Sequence, residues 1–312
     1  MRKVKGLISL ALVMVMASAL VFGAGSKEAG TTAGAGKHSV YLITMDQMDQ
    51  HWVNMDKGAQ KAVAELGNVT YKWMAPDVKD DAKQIEMINN AIAGGAQAIL
   101  LAANGPTAVT AALEEAAEAG VKIIYVDSAA EFPALQTLAT DNVAASKTAG
   151  EAMRKELQAK GITSGVIGVV SVNAATASTV AREKGFRSAF TGGAFTILET
   201  QYGDGDPARS KDIAANYITQ GAVGIFGTNE GSTVGIGNAI QEAGKAVIGV
   251  GFDKSDMIQS LIRGGHLLAT MAQNPDVMGY EGVKSAVKAL DGGTVSPEYF
   301  DTGVTVLDKS KL

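Results

Sequence analysis

From Val40 onward the chain alternates between short apolar runs and longer segments whose apolar residues recur at helical spacing. The runs Ser39–Thr44, Thr70–Ala75, Ala98–Ala102, Lys122–Asp127 and Leu135–Ala139 predict strands, as do Val166–Val172, Phe195–Glu199, Ala222–Gly227, Ala246–Gly251 and Leu267–Met271. Between most of them lie segments that predict helices, among them Trp52–Leu66, Asp80–Ile92, Ala108–Ala119, Asn142–Lys160, Ala181–Phe190 and Thr233–Ala243. In Trp52–Leu66 the apolar positions Val53, Ala59, Val63 and Leu66 follow a period near 3.6. The strands are nearly unbroken Val/Ile/Leu runs, as required when helices cover both faces of a sheet. Gly67, Gly120 and Gly244 stand just past helix ends, where a left-handed residue stops a helix. Repeated β-α units build parallel sheets with right-handed crossovers. One set of units precedes residue 140 and a comparable set follows, which predicts an α/β protein of two doubly wound parallel-sheet lobes.

The N-terminus does not follow this pattern. Arg2, Lys3 and Lys5 precede an apolar run from Leu7 to Phe22, and Gly23-Ala24-Gly25-Ser26 comes next. Charge, short apolar stretch and small residues, in that order, predict a signal peptide over residues 1–23, followed by a flexible linker over 24–37. The run is shorter than the roughly 20 apolar residues of a spanning helix. The stretch Val21–Glu28 resembles the cleavage box of bacterial lipoproteins, with Ala24 where the lipidated Cys would stand, so the chain as written cannot take a lipid anchor. The expected location is the periplasm or the outer face of the cytoplasmic membrane.

Composition narrows the chemistry. Lys and Arg number 27 against 32 Asp and Glu, a net charge of −5, which argues against nucleic acid as a partner. The absence of cysteine excludes disulfides, thiolate catalysis and Cys-based metal sites. The three histidines, His38, His51 and His266, stand at no metal-motif spacing, so neither metal nor cofactor is expected.

In doubly wound sheets ligands bind outside the carboxyl ends of the strands. The turns there are Asp46–Trp52, Asn104, Asp127-Ser128, Ser171–Ser178, Thr228–Glu230 and Phe252–Asp256. The first turn has no Gly-rich phosphate cradle, and no Walker-A or nucleophile-elbow pattern occurs. Gly235-Ile236-Gly237 lies within a helical pattern and suggests helix packing. Asp204-Gly205-Asp206 hints at a calcium loop, but Ala208 breaks the next ligand position and a turn is expected. Enzymatic chemistry therefore has no support. The turns and their neighbours instead supply Asp49, His51, Trp52, Asp127, Arg182, Asn229, Asp253 and Gln273. Carboxylates, amides and a guanidinium pair with vicinal hydroxyls, and an indole face covers the C–H side of a sugar ring. Each residue alone has a plainer role: Trp52 as a core staple, His51 as a surface residue, Asp127 and Asp253 as helix caps, Arg182 as an ion-pair partner on a solvated face.

Taken together, WVNMDKGAQ at Trp52–Gln60, Val126-Asp127, Ala139-Thr140-Asp141-Asn142, AREKGF at Ala181–Phe186, Thr228-Asn229-Glu230, GVGFD at Gly249–Asp253 and ATMAQNPD at Ala269–Asp276 resemble the ribose/galactose type of periplasmic solute-binding protein. The resemblance spans about Val40 to Val306. It implies two α/β lobes joined by three hinge crossings, near Thr140-Asp141, Gln273-Asn274 and Asp301-Thr302, with the N-terminal lobe at 38–140 and 274–301 and the C-terminal lobe at 141–273 and 302–312. It carries ligand-binding roles onto Asp49, His51, Trp52, Asp127, Arg182, Asn229, Asp253 and Gln273. Ser128 joins the set where the ribose pattern has Arg, and the aromatic that ribose binders place near Gly205 is missing. Ribose is therefore not carried over; another pentose, a hexose or a polyol suits the residues as well. The implied partners are a monosaccharide or polyol, the membrane permease of an ABC importer and a chemoreceptor, with the chain itself a monomer. Sugar-responsive regulators share the fold but need a helix-turn-helix where the signal stands, and a Rossmann-type enzyme would need the missing phosphate loop.

Overall fold

A computed structural model describes residues 38–244 and 246–312. The signal, linker and Ala24 expectations lie outside the described residues. The chain forms β1 (His38–Ile43), α1 (Gln50–Leu66), β2 (Val69–Met74), α2 (Asp81–Ala93), β3 (Ala98–Leu101), α3 (Thr110–Glu118), β4 (Lys122–Val126) and β5 (Thr137–Ala139). It continues through α4 (Asn142–Ala159), β6 (Gly165–Ser171), α5 (Ala177–Ser188), β7 (Phe195–Ile197), β8 (Gln201–Tyr202), α6 (Pro207–Thr219), β9 (Ala222–Gly227) and α7 (Glu230–Ala243). The last elements are β10 (Ile248–Phe252), α8 (Asp256–Arg263), β11 (Ala269–Gln273), α9 (Pro275–Leu290), β12 (Tyr299–Asp301) and β13 (Val304–Asp308).

Two sheets result. The first runs β12-β5-β4-β3-β1-β2 and is parallel throughout. The second runs β13-β11-β10-β9-β6-β7, with β8 beside β6. Side chains alternate across the first sheet as the pleat requires. Val40 and Leu42 enter one core with Trp52, Met55 and Met278; Tyr41 and Ile43 enter the opposite core with Ile88 and Leu113. The second sheet is covered on both faces in the same way.

The chain passes from one sheet to the other three times: between β5 and α4, between β11 and α9, and between β12 and β13. After the second passage α9 lies against α1 and against β1, β3, β4 and β5. Two glycines permit that approach. A Cβ on Gly58 would fall 1.9 Å from the carbonyl oxygen of Asp276, and one on Gly279 would fall 2.0 Å from that of Met55.

The structure departs from the sequence reading at several points. The second sheet is not wholly parallel, because β13 pairs antiparallel with β11. Its connection from the first sheet is only Thr302-Gly303, too short for a parallel return to β11. β8 and β12 are two and three residues long and show no period to read. Leu135, expected in a strand, precedes β5. α5 and α7 begin earlier than their apolar patterns, since Asn229 caps α7 by accepting from the amide of Ser232. Gly235 and Gly237 lie within α7, packed on Ser210 and Leu261. Asp206 caps α6, with Pro207 in its first turn.

Candidate functional site

The carboxyl ends of β4 and β10 face each other. Asp127 and Asp253 follow these strands with φ of 60° and 74°, left-handed values that non-glycine residues adopt only where their surroundings impose them. Neither caps a helix: Ser255 caps α8, and both aspartates are buried among charges. His51, in the first turn of α1, sits between them. Its Nε2 lies 3.3 Å from Asp127 Oδ1 and its Nδ1 lies 3.3 Å from Asp253 Oδ1. His51 is thus not on the surface.

Arg182 completes the group from α5 and is likewise buried rather than on a solvated face. Its Nη2 donates to Gln273 Oε1 at 2.9 Å and Asp127 Oδ1 at 3.4 Å, its Nη1 to the carbonyl of Thr228 at 3.0 Å, and its Nε to Asn142 Oδ1 at 2.7 Å. The guanidinium also lies 4.3 Å from the centre of the Phe252 ring. Gln273 passes the contact on, its Nε2 donating to Asp253 Oδ1 at 2.5 Å. Burial would lower the affinity of His51 for its proton, but the carboxylates of Asp253 and Asp127 overcome this and push it up to about 10. Against the same burial, His51 and Arg182 hold Asp253 down to about 2 and keep Asp127 below the usual carboxylate range.

A second charge group supports the first turn. Asp46 accepts from the amides of Met48 and Asp49 and from the indole nitrogen of Trp52, which fixes the turn that launches α1. Lys79, from the loop before α2, donates to Asp46 and, at 3.0 Å, to Asp49. Burial works to raise Asp46, yet Lys79 holds it low. Asp49 is pushed up to about 6 because its burial, with Asp46 and Asp253 nearby, outweighs Lys79. Asp49 is therefore spent on Lys79 and offers no cap to α1. That cap comes from the other sheet, where the Glu230 carboxylate accepts from the amides of Gln50 and His51 at 3.1 and 3.0 Å.

These residues surround one small cavity of about 20 Å³, room for about one water molecule and well below the size range of small-molecule pockets. Asp49, His51, Trp52, Asp127, Arg182, Asn229, Asp253 and Gln273 line it, together with Lys79, Met45, Ser178 and Thr179. Ser128, expected among them, does not. Its Oγ accepts from the amide of Ser178, so it ties the two sheets together beside the cavity instead of facing it. Trp52 divides its faces, packing in the core with Met55 and standing edge-on to His51 at 4.7 Å while lining the cavity. Two buried donors are left over. His51 Nε2, off-line from Asp127, makes no aligned hydrogen bond; nor does Asn229 Nδ2, whose partner Oδ1 is taken up by Ser232. A larger groove of about 570 Å³ adjoins the cavity through His51 and Gln273, with exposed side chains such as Lys254 and Asp276 forming part of its lining. Sequence reading gave Lys79 no place, and it placed Asp46 and Glu230 in strand-end turns without a role. Among the described residues no cluster has the arrangement of a metal site.

The cavity combines buried carboxylates and amides with two donors that make no aligned hydrogen bond, at the position where open α/β sheets take ligands. Residues 40–294 match the periplasmic binding protein domain family. The ribose import binding protein of Haemophilus influenzae is 29% identical over 269 residues, 85% of this chain and 90% of that protein. The D-allose-binding periplasmic protein of Escherichia coli is 25% identical, over 84% of this chain and 87% of its own. An ABC transporter solute-binding protein from Agrobacterium vitis, solved bound with alpha-D-tagatopyranose, is similar with a TM-score of 0.82 and 30% identity, covering 88% of this chain and 95% of that one. A carbohydrate transporter solute-binding protein from Agrobacterium radiobacter, in complex with D-arabinose, gives a TM-score of 0.84 at 27% identity, with the same shares. With two α/β lobes, three passages between them and a family match over most of its length, the chain belongs to the periplasmic binding proteins.

Proposed function

We propose that this protein is the extracytoplasmic receptor of an ABC importer, taking one neutral monosaccharide or polyol between its lobes and handing it unchanged to a membrane permease. The supporting observation is the set of buried polar atoms around the small cavity: two donors without aligned hydrogen bonds, His51 Nε2 and Asn229 Nδ2, beside two buried carboxylates held by Arg182 and Gln273. Buried polar groups are normally paired, so unpaired ones around a cavity are the atoms a polar guest would satisfy. Arg182 donates and offsets charge, Asp127 and Asp253 accept from hydroxyls, and Trp52 supplies an apolar wall. The three passages between the sheets act as the hinge that opens and closes the lobes 38–140 with 274–301 and 141–273 with 302–312. Residues 1–23 serve as the export signal, and the chain works as a monomer, with a chemoreceptor as a second docking partner.

A thermal-shift panel of ribose, allose, arabinose, tagatose and fucose, followed by calorimetry, tests the reading. A ligand at 100 times its Kd adds about 2.7 kcal/mol of stability. A response to one or more of these sugars, abolished in Arg182→Ala, is expected. Silence toward sugars and polyols alike, or a shift only with nicotinamide cofactors, would remove it.

A further inference from the structure

Three acidic and three basic side chains line the cavity. Asp49, Asp127 and Asp253 face it from the acidic side; Lys79, Arg182 and His51 face it from the basic side. Lys79 is occupied with Asp49 and Asp46, and Arg182 bonds Asp127 directly but acts on Asp253 only through space, with the uncharged amide of Gln273 between them. Among the described residues, His51 is the cation that stands at ion-pair distance from both inner carboxylates, 3.3 Å from each. Its geometry favours the charged form. Each ring nitrogen faces a carboxylate oxygen, and only the imidazolium has a proton on both nitrogens; a neutral ring would turn a lone pair toward one of them. The groups packed around it are Asp127 at the end of β4, Asp253 at the end of β10, Glu230 at the start of α7 holding its backbone amide, Asp49 with Lys79 behind it, and Arg182 beyond Asp127.

We propose that His51 sets the charge class of the ligand: held between Asp127 and Asp253, it neutralises the inner frame so that the cleft selects an uncharged polyol or sugar and rejects the corresponding amine. This rests on the sugar-receptor reading and names the residue that tunes it. Without the His51 charge the lining carries one uncompensated carboxylate, and an ammonium group on the ligand would take the vacant role. The imidazolium then acts as a fixed internal counter-ion, and its unaligned Nε2–H remains available to a ligand oxygen.

Two measurements test this. Imidazole-nitrogen NMR on the unliganded wild-type protein addresses the charge directly. The chain has three histidines, and the signals lost in His51→Gln identify those of His51. Protons on both nitrogens at about pH 8, where an unperturbed histidine is neutral, are expected; a neutral tautomer there overturns the proposal. The second measurement is calorimetry with ribose, allose and galactose, each paired with its 2-amino-2-deoxy counterpart. Wild type should favour a neutral sugar over its amine by at least about tenfold. His51→Gln should weaken the neutral sugar on the order of 30-fold and narrow or reverse the preference, while His51→Lys, which keeps a cation, should restore it. An unchanged preference in His51→Gln, or a wild type that binds the amine as well, overturns it. Silence of the wild type toward every sugar would count instead against the receptor reading, and the NMR result would still decide the charge of His51.

Discussion

Glu230 caps a helix that belongs to the other lobe. Its two carboxylate oxygens accept from the amides of Gln50 and His51, the first residues of α1, while Gln50 Oε1 accepts from the amide of Asp256, the first residue of α8. The helix starts on either side of the cleft thus exchange caps across it, and α1, whose own Asp49 is diverted to Lys79, depends on the exchange. A cap that exists only while the lobes are together links their closure to the orientation of His51 and Trp52, one and two residues farther on.

Glu230→Ala removes that cap without touching the cavity wall. A lost N-cap costs about 0.5–2 kcal/mol, so ligand affinity should fall about tenfold while the unliganded fold persists. Calorimetry with the sugar found in the panel, together with scattering to follow compaction, checks it; unchanged affinity would separate the cap from closure.

Arg182→Ala should be far more damaging. It strands Asp127, the carbonyl of Thr228 and Gln273 Oε1 in a buried setting, and breaking one partner of such a network costs about 3–5 kcal/mol. Arg182→Lys should recover little, because an ammonium cannot donate to Asn142, Thr228, Gln273 and Asp127 from one planar fork. Thermal denaturation of both variants gives the comparison.

The pH dependence follows from the buried acids. Burial, with Asp49 and Asp253 nearby, pushes Glu230 up to about 7 from its ordinary 4.5. Burial also pushes Asp49 up to about 6 from 3.8. A raised pKa in the folded state means its contribution is fully present below the ordinary value and is lost as pH rises through the folded one. Melting temperature should therefore decline between about pH 4.5 and 7, and Glu230→Gln should flatten part of that decline. Asp253, held down to about 2, acts oppositely, its contribution being present above 3.8 and lost as pH falls through about 2. His51 contributes fully below 6.5 and loses its contribution as pH rises through about 10. A melting curve flat from pH 4.5 to 7 in wild type would contradict the assignment.

The contact of α1 with α9 has no spare room. Gly58→Ala or Gly279→Ala would drive a methyl into a carbonyl oxygen of the facing helix, and overpacking of this kind costs about 1–3 kcal/mol. At roughly 2–4 °C per kcal/mol for a protein of this size, the melting temperature should fall measurably in either variant. A neutral result would mean that the helices can separate freely.

Alternating apolar runs and helical spacing were enough to foresee two doubly wound lobes and the strand ends on which a site would stand, because both signals are local: a strand buried on two faces must be apolar throughout, and a helix must repeat near 3.6 residues. The residues at those ends were legible too, since eight of the nine expected line one cavity. What each does was not. Ser128 turned to Ser178, Trp52 divided itself between core and cavity, and Asp49 was claimed by Lys79, a residue in a loop with no pattern to mark it. His51 lies 202 positions from Asp253 and Glu230 lies 180 from Gln50 (253 − 51; 230 − 50), so neither pairing leaves a trace in periodicity or spacing. The antiparallel β13 belongs with them, decided by a two-residue passage between sheets. Local sequence sets which face of an element is buried; only the closed fold sets which distant charges share the space between elements, and in a low-dielectric gap that proximity determines protonation and hence what the gap can hold.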